Sequence, residues 1–306
     1  MKFVVIAILV AFTAASFHPV NREFVDEIKK TATAWTPMEP EENPFAYKTL
    51  EEIKGMMGTK LRGRKELVDS TNIDLTDLPD SFDWRTEKPG AIHPIRDQAN
   101  CGSCWAFASS EALSDRFAIE SNLATDVVLS PQFQVSCDKI NYGCQGGYLD
   151  RAWDFLEYKG TTSDECVPYT SGKTGRDGTC PDKCTNGDEF TFFKSKKYNH
   201  PTNEKAIMQE IQKYGPVEVG FMVYADFMSY KSGVYNTHGG RFLGGHAVKV
   251  IGWGVEGNLP YWTVANSWGE SWGEQGFVKF RRGNNHCGIE GDVYAGEADW
   301  KKLISE

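Results

Sequence analysis

The stretch Gln98-Ala99-Asn100-Cys101-Gly102-Ser103-Cys104-Trp105-Ala106-Phe107 sets two thiols three residues apart at the threshold of a long apolar segment. From there Trp105, Ala108, Ala112, Leu113, Phe117 and Ile119 recur at helical spacing with no glycine or proline between them, so a buried helix is predicted to begin close to Cys104. A thiol at that place lies where unsatisfied helical amides converge, which favours thiolate over thiol. Two closely spaced cysteines also fit a redox pair or half of a zinc site. The redox reading lacks a surrounding βαβ pattern, and the zinc reading needs a second pair, for which Cys180 and Cys184 are the candidates. Nucleophile chemistry accounts for more of the chain.

A thiolate that attacks an acyl carbon needs a proton carrier, an acceptor that orients the carrier, and donors aimed at the developing oxyanion. Gly244-Gly245-His246-Ala247 places His246 at the start of a predicted strand, and Tyr261-Trp262-Thr263-Val264-Ala265-Asn266-Ser267-Trp268-Gly269 places Asn266 near the end of the next. With these strands adjacent, Asn266 accepts from one imidazole nitrogen while the other faces Cys104. Gln98 and the Cys104 backbone amide then serve the oxyanion. His18, His93, His200, His238 and His286 lack such surroundings and read as ordinary packed or surface residues.

Further helices are predicted at Leu149 to Tyr158, closed by Gly160, and at Glu204 to Tyr214, closed by Gly215 and Pro216. Past Pro216 the pattern changes to short apolar runs between glycines, VEVGFMVY, HAVKVIGWG, PYWTVANSWG and GFVKFRRG, which read as strands of an antiparallel sheet or barrel. The expected class is therefore α+β. A helical lobe over about 95–188 faces a β-rich lobe over about 189–300, with the cleft between them as the natural site.

Upstream, MKFVVIAILVAFTAAS joins a basic Lys2 to an apolar run and then small residues, the pattern of a secretory signal over residues 1–16. That run is too short to span a bilayer, and the secretory route leads outward or to a lysosome-like acidic compartment. Residues 17–78 contain no cysteine but carry the helix-prone runs EFVDEIKK, LEEIKGMMG and GRKELVDS, and read as a propeptide. The mature domain is expected to span 79–306 and holds all 8 cysteines, which can pair in an oxidising compartment. Lys plus Arg is 33 against Asp plus Glu 42, a net charge of -9, so the chain offers no general attraction for nucleic acid. With 40% hydrophobic and 13% aromatic residues it can build a large core and aromatic walls around a cleft, as an enzyme or a binder would.

The blocks QANCGSCWAFASSEALSDR, CDKINYGCQGGYLDRAW, GPVEVGFMVYADFMSYKSGVY, GGHAVKVIGWG, YWTVANSWGESWGEQGFVKF and HCGIE together resemble the papain-like cysteine peptidases, and most closely their cathepsin B group. The resemblance runs in order from about 79 to 300. It implies a two-lobe papain-like fold and makes Cys104 the nucleophile, His246 the general base and then acid, Asn266 its orienter and Gln98 the oxyanion donor. Trp268 becomes the shield over the Asn266 to His246 hydrogen bond and part of the cleft. It also implies the bridges Cys101–Cys144, Cys137–Cys180 and Cys166–Cys184, with Cys287 a second, buried free thiol.

Gly146 and Gly147 lack side chains, so an extended peptide could approach their backbone. By the resemblance, Tyr148, Leu149, Gly220, Ala247 and Asp292 line the second specificity pocket, which should take an apolar or aromatic side chain between Tyr148, Leu149 and Ala247. Asp292 stands where cathepsin B has a glutamate that accepts arginine, so weaker arginine tolerance is expected. Cathepsin B also carries an occluding insertion whose histidines hold a substrate's terminal carboxylate. Here Cys166 to Cys180 encloses only VPYTSGKTGRDGT, without histidine, leaving Lys173 and Arg176 as a partial substitute at best. An endopeptidase is expected, with C-terminal dipeptide release as the alternative; a non-catalytic binding protein or an oxidoreductase are the readings from other classes. The expected partners are polypeptide substrates, the protein's own propeptide as intramolecular inhibitor, and protein inhibitors in the open cleft. A monomer that uses no metal or organic cofactor completes the expectation.

Overall fold

The helix that begins at Cys104 runs to Glu120 and is buried from Cys104 through Ile119. Apolar or small residues occupy every side of it, as the sequence of a central helix requires. Several of its polar members are held internally. The Ser109, Ser110 and Ser114 hydroxyls donate to carbonyls one turn back, Arg116 donates to the Gly215 and Pro216 carbonyls, and Asp115 accepts from Lys249 at 2.5 Å. A buried ion pair of this kind needs such fixed partners to offset its desolvation.

The computed structural model describes residues 17–62 and 77–301. The predicted signal segment 1–16 and the helix-prone run GRKELVDS at 63–70 lie outside the described residues. In chain order the helices are α1 (Arg22–Thr31), α2 (Leu50–Gly55), α3 (Trp84–Glu87), α4 (Cys104–Glu120), α5 (Pro131–Cys137), α6 (Leu149–Tyr158), α7 (Ser171–Thr174) and α8 (Glu204–Tyr214). The strands are β1 (Trp35–Pro37), β2 (Phe82–Asp83), β3 (Ser195–Asn199), β4 (Val217–Tyr224), β5 (Tyr230–Tyr235), β6 (Phe242–Glu256), β7 (Leu259–Ala265), β8 (Phe277–Arg281) and β9 (Asp292–Ala298). The helix boundaries follow capping chemistry. Ser130 accepts from the Phe133 amide with Pro131 in the first turn, and Asn203 accepts from the Ala206 amide, each satisfying an orphan donor.

The sheet runs β1-β5-β8-β7-β6-β4-β9-β3, with β2 added to β6. It is antiparallel except where β5 pairs parallel with β8, a departure from the all-antiparallel expectation. α4 packs across β6 and β9 on one side and against α5 and α6 on the other, so it divides the helical and β-rich lobes. The fold is thus α+β in two lobes, with the N-terminal end of α4 opening where they meet. No helix among the described residues is long and apolar enough to cross a membrane.

Residues 17–62 do not form a lobe of their own. β1 pairs with β5, Trp35 opposite Gly233, and the Trp35 ring stacks on Tyr230 and meets Tyr235 edge-on. The Asn43 amide donates to the Met228 carbonyl, and a capping box between Thr49 and Glu52 starts α2. α2 then delivers the chain into the cleft.

Candidate active site

Cys104 is the first residue of α4, and the bridge Cys101–Cys144 ties the loop before it to the one-turn helix Gly143–Gln145. The other bridged pairs are Cys137 with Cys180 and Cys166 with Cys184, leaving Cys104 and Cys287 as unbridged, buried thiols. Because Cys101, Cys180 and Cys184 are all bridged, neither a Cys101–Cys104 redox pair nor a zinc site built on those four sulfurs is formed.

Strand register brings His246 and Asn266 together. Lys249 pairs with Ala265 across β6 and β7, so Asn266 continues opposite Val248, and His246, two residues along, lies on the same face one diagonal away. Asn266 Oδ1 is 2.8 Å from His246 Nε2, and a carbonyl oxygen there requires the N–H on Nε2 and the lone pair on Nδ1. Nδ1 is buried without a hydrogen-bond partner among the described residues. The Trp268 indole stacks on the imidazole at 4.6 Å, walling the pair from water.

Gln98 is fully buried and clamped. Its Oε1 accepts from the Ser267 hydroxyl at 2.9 Å, which turns the amide nitrogen toward the cleft. Nε2 donates to the carbonyls of Met56 and Cys101, both at 2.9 Å. Ser267 was not singled out from the sequence, although its place next to Asn266 was a signal. Tyr169 adds a second brace, its hydroxyl 2.8 Å from the Gln98 carbonyl and 2.7 Å from Ser103 Oγ.

The cleft holds the protein's own backbone. The Gly147 amide donates to the Gly58 carbonyl and the Lys60 amide to the Gly147 carbonyl, both at 2.8 Å, while the Thr59 amide donates to the Gly245 carbonyl at 3.0 Å. Residues 58–60 therefore lie as a short strand, parallel to Gly147 and antiparallel to Gly245. The contact is closest at Gly58, where a Cβ would fall 1.9 Å from the Gly102 carbonyl oxygen. Gly146 serves the same closeness, since a side chain there would meet the Gly58 carbonyl.

Thr59 Oγ1 sits 3.2 Å from Cys104 Sγ. Under this cover, burial pushes the Cys104 thiol up, against the lowering effect of its hydrogen bonds to Thr59 and nearby amides. Burial also pushes His246 down to about 4, with the Asn266 hydrogen bond opposing. Both shifts favour the neutral thiol and the neutral imidazole.

Gly220 pairs with Ala247 on one side and Asp292 on the other, so the three occupy one row across β6, β4 and β9. Leu61 Cδ2, Asp292 Oδ2 and Leu149 Cδ1 all lie within 3.2 Å of where a Gly220 side chain would begin, placing Leu61 in the hollow that Gly220 leaves. The Arg62 amide donates to Asp292 Oδ2 at 3.3 Å. Tyr148 lies further out, with the guanidinium groups of Arg62 and Arg151 over its ring. Asp292 is buried, with 4% of its surface exposed.

A second buried carboxyl, Glu218, was missed from the sequence. It accepts from the Trp153 indole N–H at 2.8 Å, and burial, with Asp292 nearby, raises it well above the carboxylate range. Its signal was the β4 alternation, which puts Glu218 on the same face as Gly220.

Between Cys166 and Cys180 the chain makes the single turn α7, with Lys173 exposed on it and Arg176 exposed just after it. Of the remaining histidines, His93 lies 2.7 Å from Asp115 and 3.0 Å from Asp126, whereas His238 and His286 share a cluster with Cys287.

A family model described as "Papain family cysteine protease" matches residues 78–297. Among similar sequences, "Cathepsin B-like CP3" of Giardia intestinalis is 39% identical over 293 residues, covering 94% of this chain and 97% of the relative. "Gut-specific cysteine proteinase" of Caenorhabditis elegans is 39% identical over 328 residues, covering 97% and 99%. Among solved structures, "proCathepsin B S9 from Trypanosoma congolense" superposes with a TM-score of 0.82 at 30% identity, covering 92% of this chain and all of that one. A "Recombinant stem bromelain precursor" gives 0.72 at 29% identity, covering 90% and 87%.

Proposed function

Since the chain belongs to the papain family of cysteine proteases and is cathepsin B-like, we propose that it is an endopeptidase made as a zymogen, with Cys104 as nucleophile and His246 as its proton carrier. The reading is carried by one observation: the cleft binds an extended polypeptide already. Gly147 and Gly245 take the backbone of residues 58–60, Leu61 fills the hollow at Gly220, and Gln98 donates to a peptide carbonyl. The substrate is then a polypeptide held by the same glycines, with an apolar side chain beside Leu149 and Ala247. Asp292 supplies a negative wall that accepts arginine more weakly.

In the open enzyme, the Cys104 sulfur loses its proton to His246 Nδ1 and attacks the peptide carbonyl. Charge developing on the carbonyl oxygen is met by Gln98 Nε2 and the Cys104 amide, two fixed donors at the start of a helix. The imidazolium, held in orientation by Asn266 and covered by Trp268, protonates the leaving amine. Water then enters, gives a proton back to the imidazole and hydrolyses the Cys104 thioester. A neutral thiol–imidazole pair beneath residues 58–60 supports the zymogen reading, because neither charge nor access is available there.

The endopeptidase assignment is supported by the short, histidine-free loop between Cys166 and Cys180. With no imidazole on that loop to hold a terminal carboxylate, a chain can continue along the primed side. Residues 1–16 are assigned as a secretory signal and 17–78 as the propeptide, and the mature monomer works outside the cell or in a lysosome-like compartment. Mass analysis of products from a long peptide, beside a Cys104→Ala control, tests the proposal. Internal cuts that disappear in the control are expected; stepwise release of C-terminal dipeptides overturns the endopeptidase assignment, and cleavage that survives in the control overturns the nucleophile.

A further inference from the structure

Away from the cleft, two separate segments converge on three donor atoms. The loop between β5 and β6 supplies His238, and the turn His286–Gly288 supplies His286 and Cys287; one ligand atom from each lies within 4.8 Å of the others. The two imidazole rings are 5.5 Å apart, centre to centre.

The buried histidine is set as a metal ligand would be. His286 has only 8% of its surface exposed, and its Nε2 has no hydrogen-bond partner among the described residues. The other ring nitrogen is taken by a hydrogen bond to the Thr237 backbone, which leaves the lone pair on Nε2. A ligating imidazole is commonly oriented in this way by a carbonyl behind it. On either side of His286 the chain adopts left-handed backbone at residues other than glycine, with φ 49° at Asn285 and 50° at Cys287. Asparagine adopts this region readily, but a cysteine there is strained and persists where the surroundings demand it. Together they turn two consecutive donors, His286 and Cys287, toward the same point.

We propose that His238, His286 and Cys287 form a binding site for a divalent transition ion of the zinc class, distinct from the Cys104 centre. Two imidazoles and a thiolate are the ligand set such an ion prefers over the oxygen sets of calcium or magnesium. Ligand bonds of about 2.0–2.3 Å place tetrahedral donors roughly 3.5 Å apart, so the cluster needs to close by about an ångström. The exposed donor is His238, whose ring rests on Tyr224 at 4.4 Å, and its exposure gives the ion its route in. Coordination releases the Cys287 proton to solvent. Burial raises the Cys287 thiol and also the neighbouring Asp226 carboxyl, the latter to about 7, and Arg281 opposes a cation at His286, so the ion has to displace the thiol proton against these surroundings. The fourth position faces solvent at His238 and takes water.

The ion would fasten the β5–β6 loop to the turn behind it. That loop is a shelf for the N-terminal segment: the Trp35 indole N–H donates to Thr237 Oγ1 at 3.1 Å, and Phe24 packs where a Gly240 side chain would begin. Occupancy should therefore stabilise the full-length protein.

The test is titration of the untagged, full-length Cys104→Ala protein with Co2+, followed by absorption, and with Zn2+, followed by thermal unfolding. The Cys104→Ala change prevents self-cleavage and removes the other thiol able to bind a metal beside a histidine. One equivalent of Co2+ should bind with a sulfur-to-cobalt charge-transfer band that Zn2+ displaces, and Zn2+ should raise Tm. Adding Cys287→Ser should abolish the band. Adding His238→Ala, an exposed change that leaves the core intact, should weaken binding at least tenfold and erase the Tm shift. Absence of binding, binding without the sulfur band, or affinity unchanged in His238→Ala overturns the site.

Discussion

Gly58→Ala should pry the N-terminal segment out of the cleft. The position is suited to the test because Gly58 is not in the left-handed backbone region, so a methyl group there acts by volume alone. Its Cβ would lie 1.9 Å from the Gly102 carbonyl oxygen and 2.3 Å from the carbonyl carbon. Neither group is a side chain that can rotate away, and Gly102 is itself packed against the Cys144 and Gly55 carbonyls. The strand at residues 58–60 must therefore retreat by more than an ångström, which breaks the bonds Gly147 N–H to Gly58, Lys60 N–H to Gly147 and Thr59 N–H to Gly245. At a net 0.5–1.5 kcal/mol for each of the three bonds, the loss is about 1.5–4.5 kcal/mol, or roughly a 12- to 1,600-fold rise in the opened population at 1.4 kcal/mol per decade. Amide hydrogen exchange in the Cys104→Ala background reads this population directly, because self-cleavage is absent. Thr59 and Lys60 should lose protection by that factor while amides in the middle of α4 keep theirs. Protection at Thr59 and Lys60 within threefold of the parent would refute the steric argument, and equal loss throughout α4 would show global rather than local opening.

Three further outcomes follow from the same geometry. Buried His246, lowered to about 4, is a neutral group whose contribution to the closed state is complete above its ordinary value near 6.5 and is lost as pH falls toward 4. Opening should then rise by up to about 50-fold between pH 7 and pH 4.5, measured as loss of Thr59 and Lys60 protection, and His246→Gln should flatten that dependence. Ser267→Ala removes the donor that fixes Gln98 Oε1 and should lower kcat by about 3- to 10-fold with little change in KM. Asp292→Asn removes a carboxylate from the row at Gly220 and should reduce the kcat/KM ratio of arginine- to leucine-bearing peptides by about tenfold or more; an unchanged ratio would place arginine elsewhere.

Much of the architecture was legible because it rests on local chemistry. The α6 and α8 boundaries were readable from apolar periodicity and flanking glycines, and the start of α4 from the change of pattern at Cys104. The four main strand runs stood out between their glycines. β1, β3 and β9 were not legible, since short strands such as Trp35–Pro37 exist only through partners distant in sequence. Glu218 stayed hidden for a related reason. Alternation assigned it to a face, but only the packing of Trp153 and Asp292 showed that the face is buried.

By itself, the sequence determined which groups are available for chemistry: a thiol at a helix start, an imidazole and an amide on successive strands, and glycines where a backbone must come close. These are properties of residue type and spacing over a few turns. Tertiary structure decided what surrounds them. It set the register that joins His246 to Asn266 and the 3.2 Å approach of Thr59 to Cys104, and it enclosed the pair so that the thiol is raised and the imidazole lowered. It also collected His238, His286 and Cys287, three residues that read as unremarkable along the chain, around one point. Distance and desolvation between residues far apart in sequence are properties of the folded chain, since proton affinity and metal affinity depend on what is brought within a few ångströms and on how much water is left there.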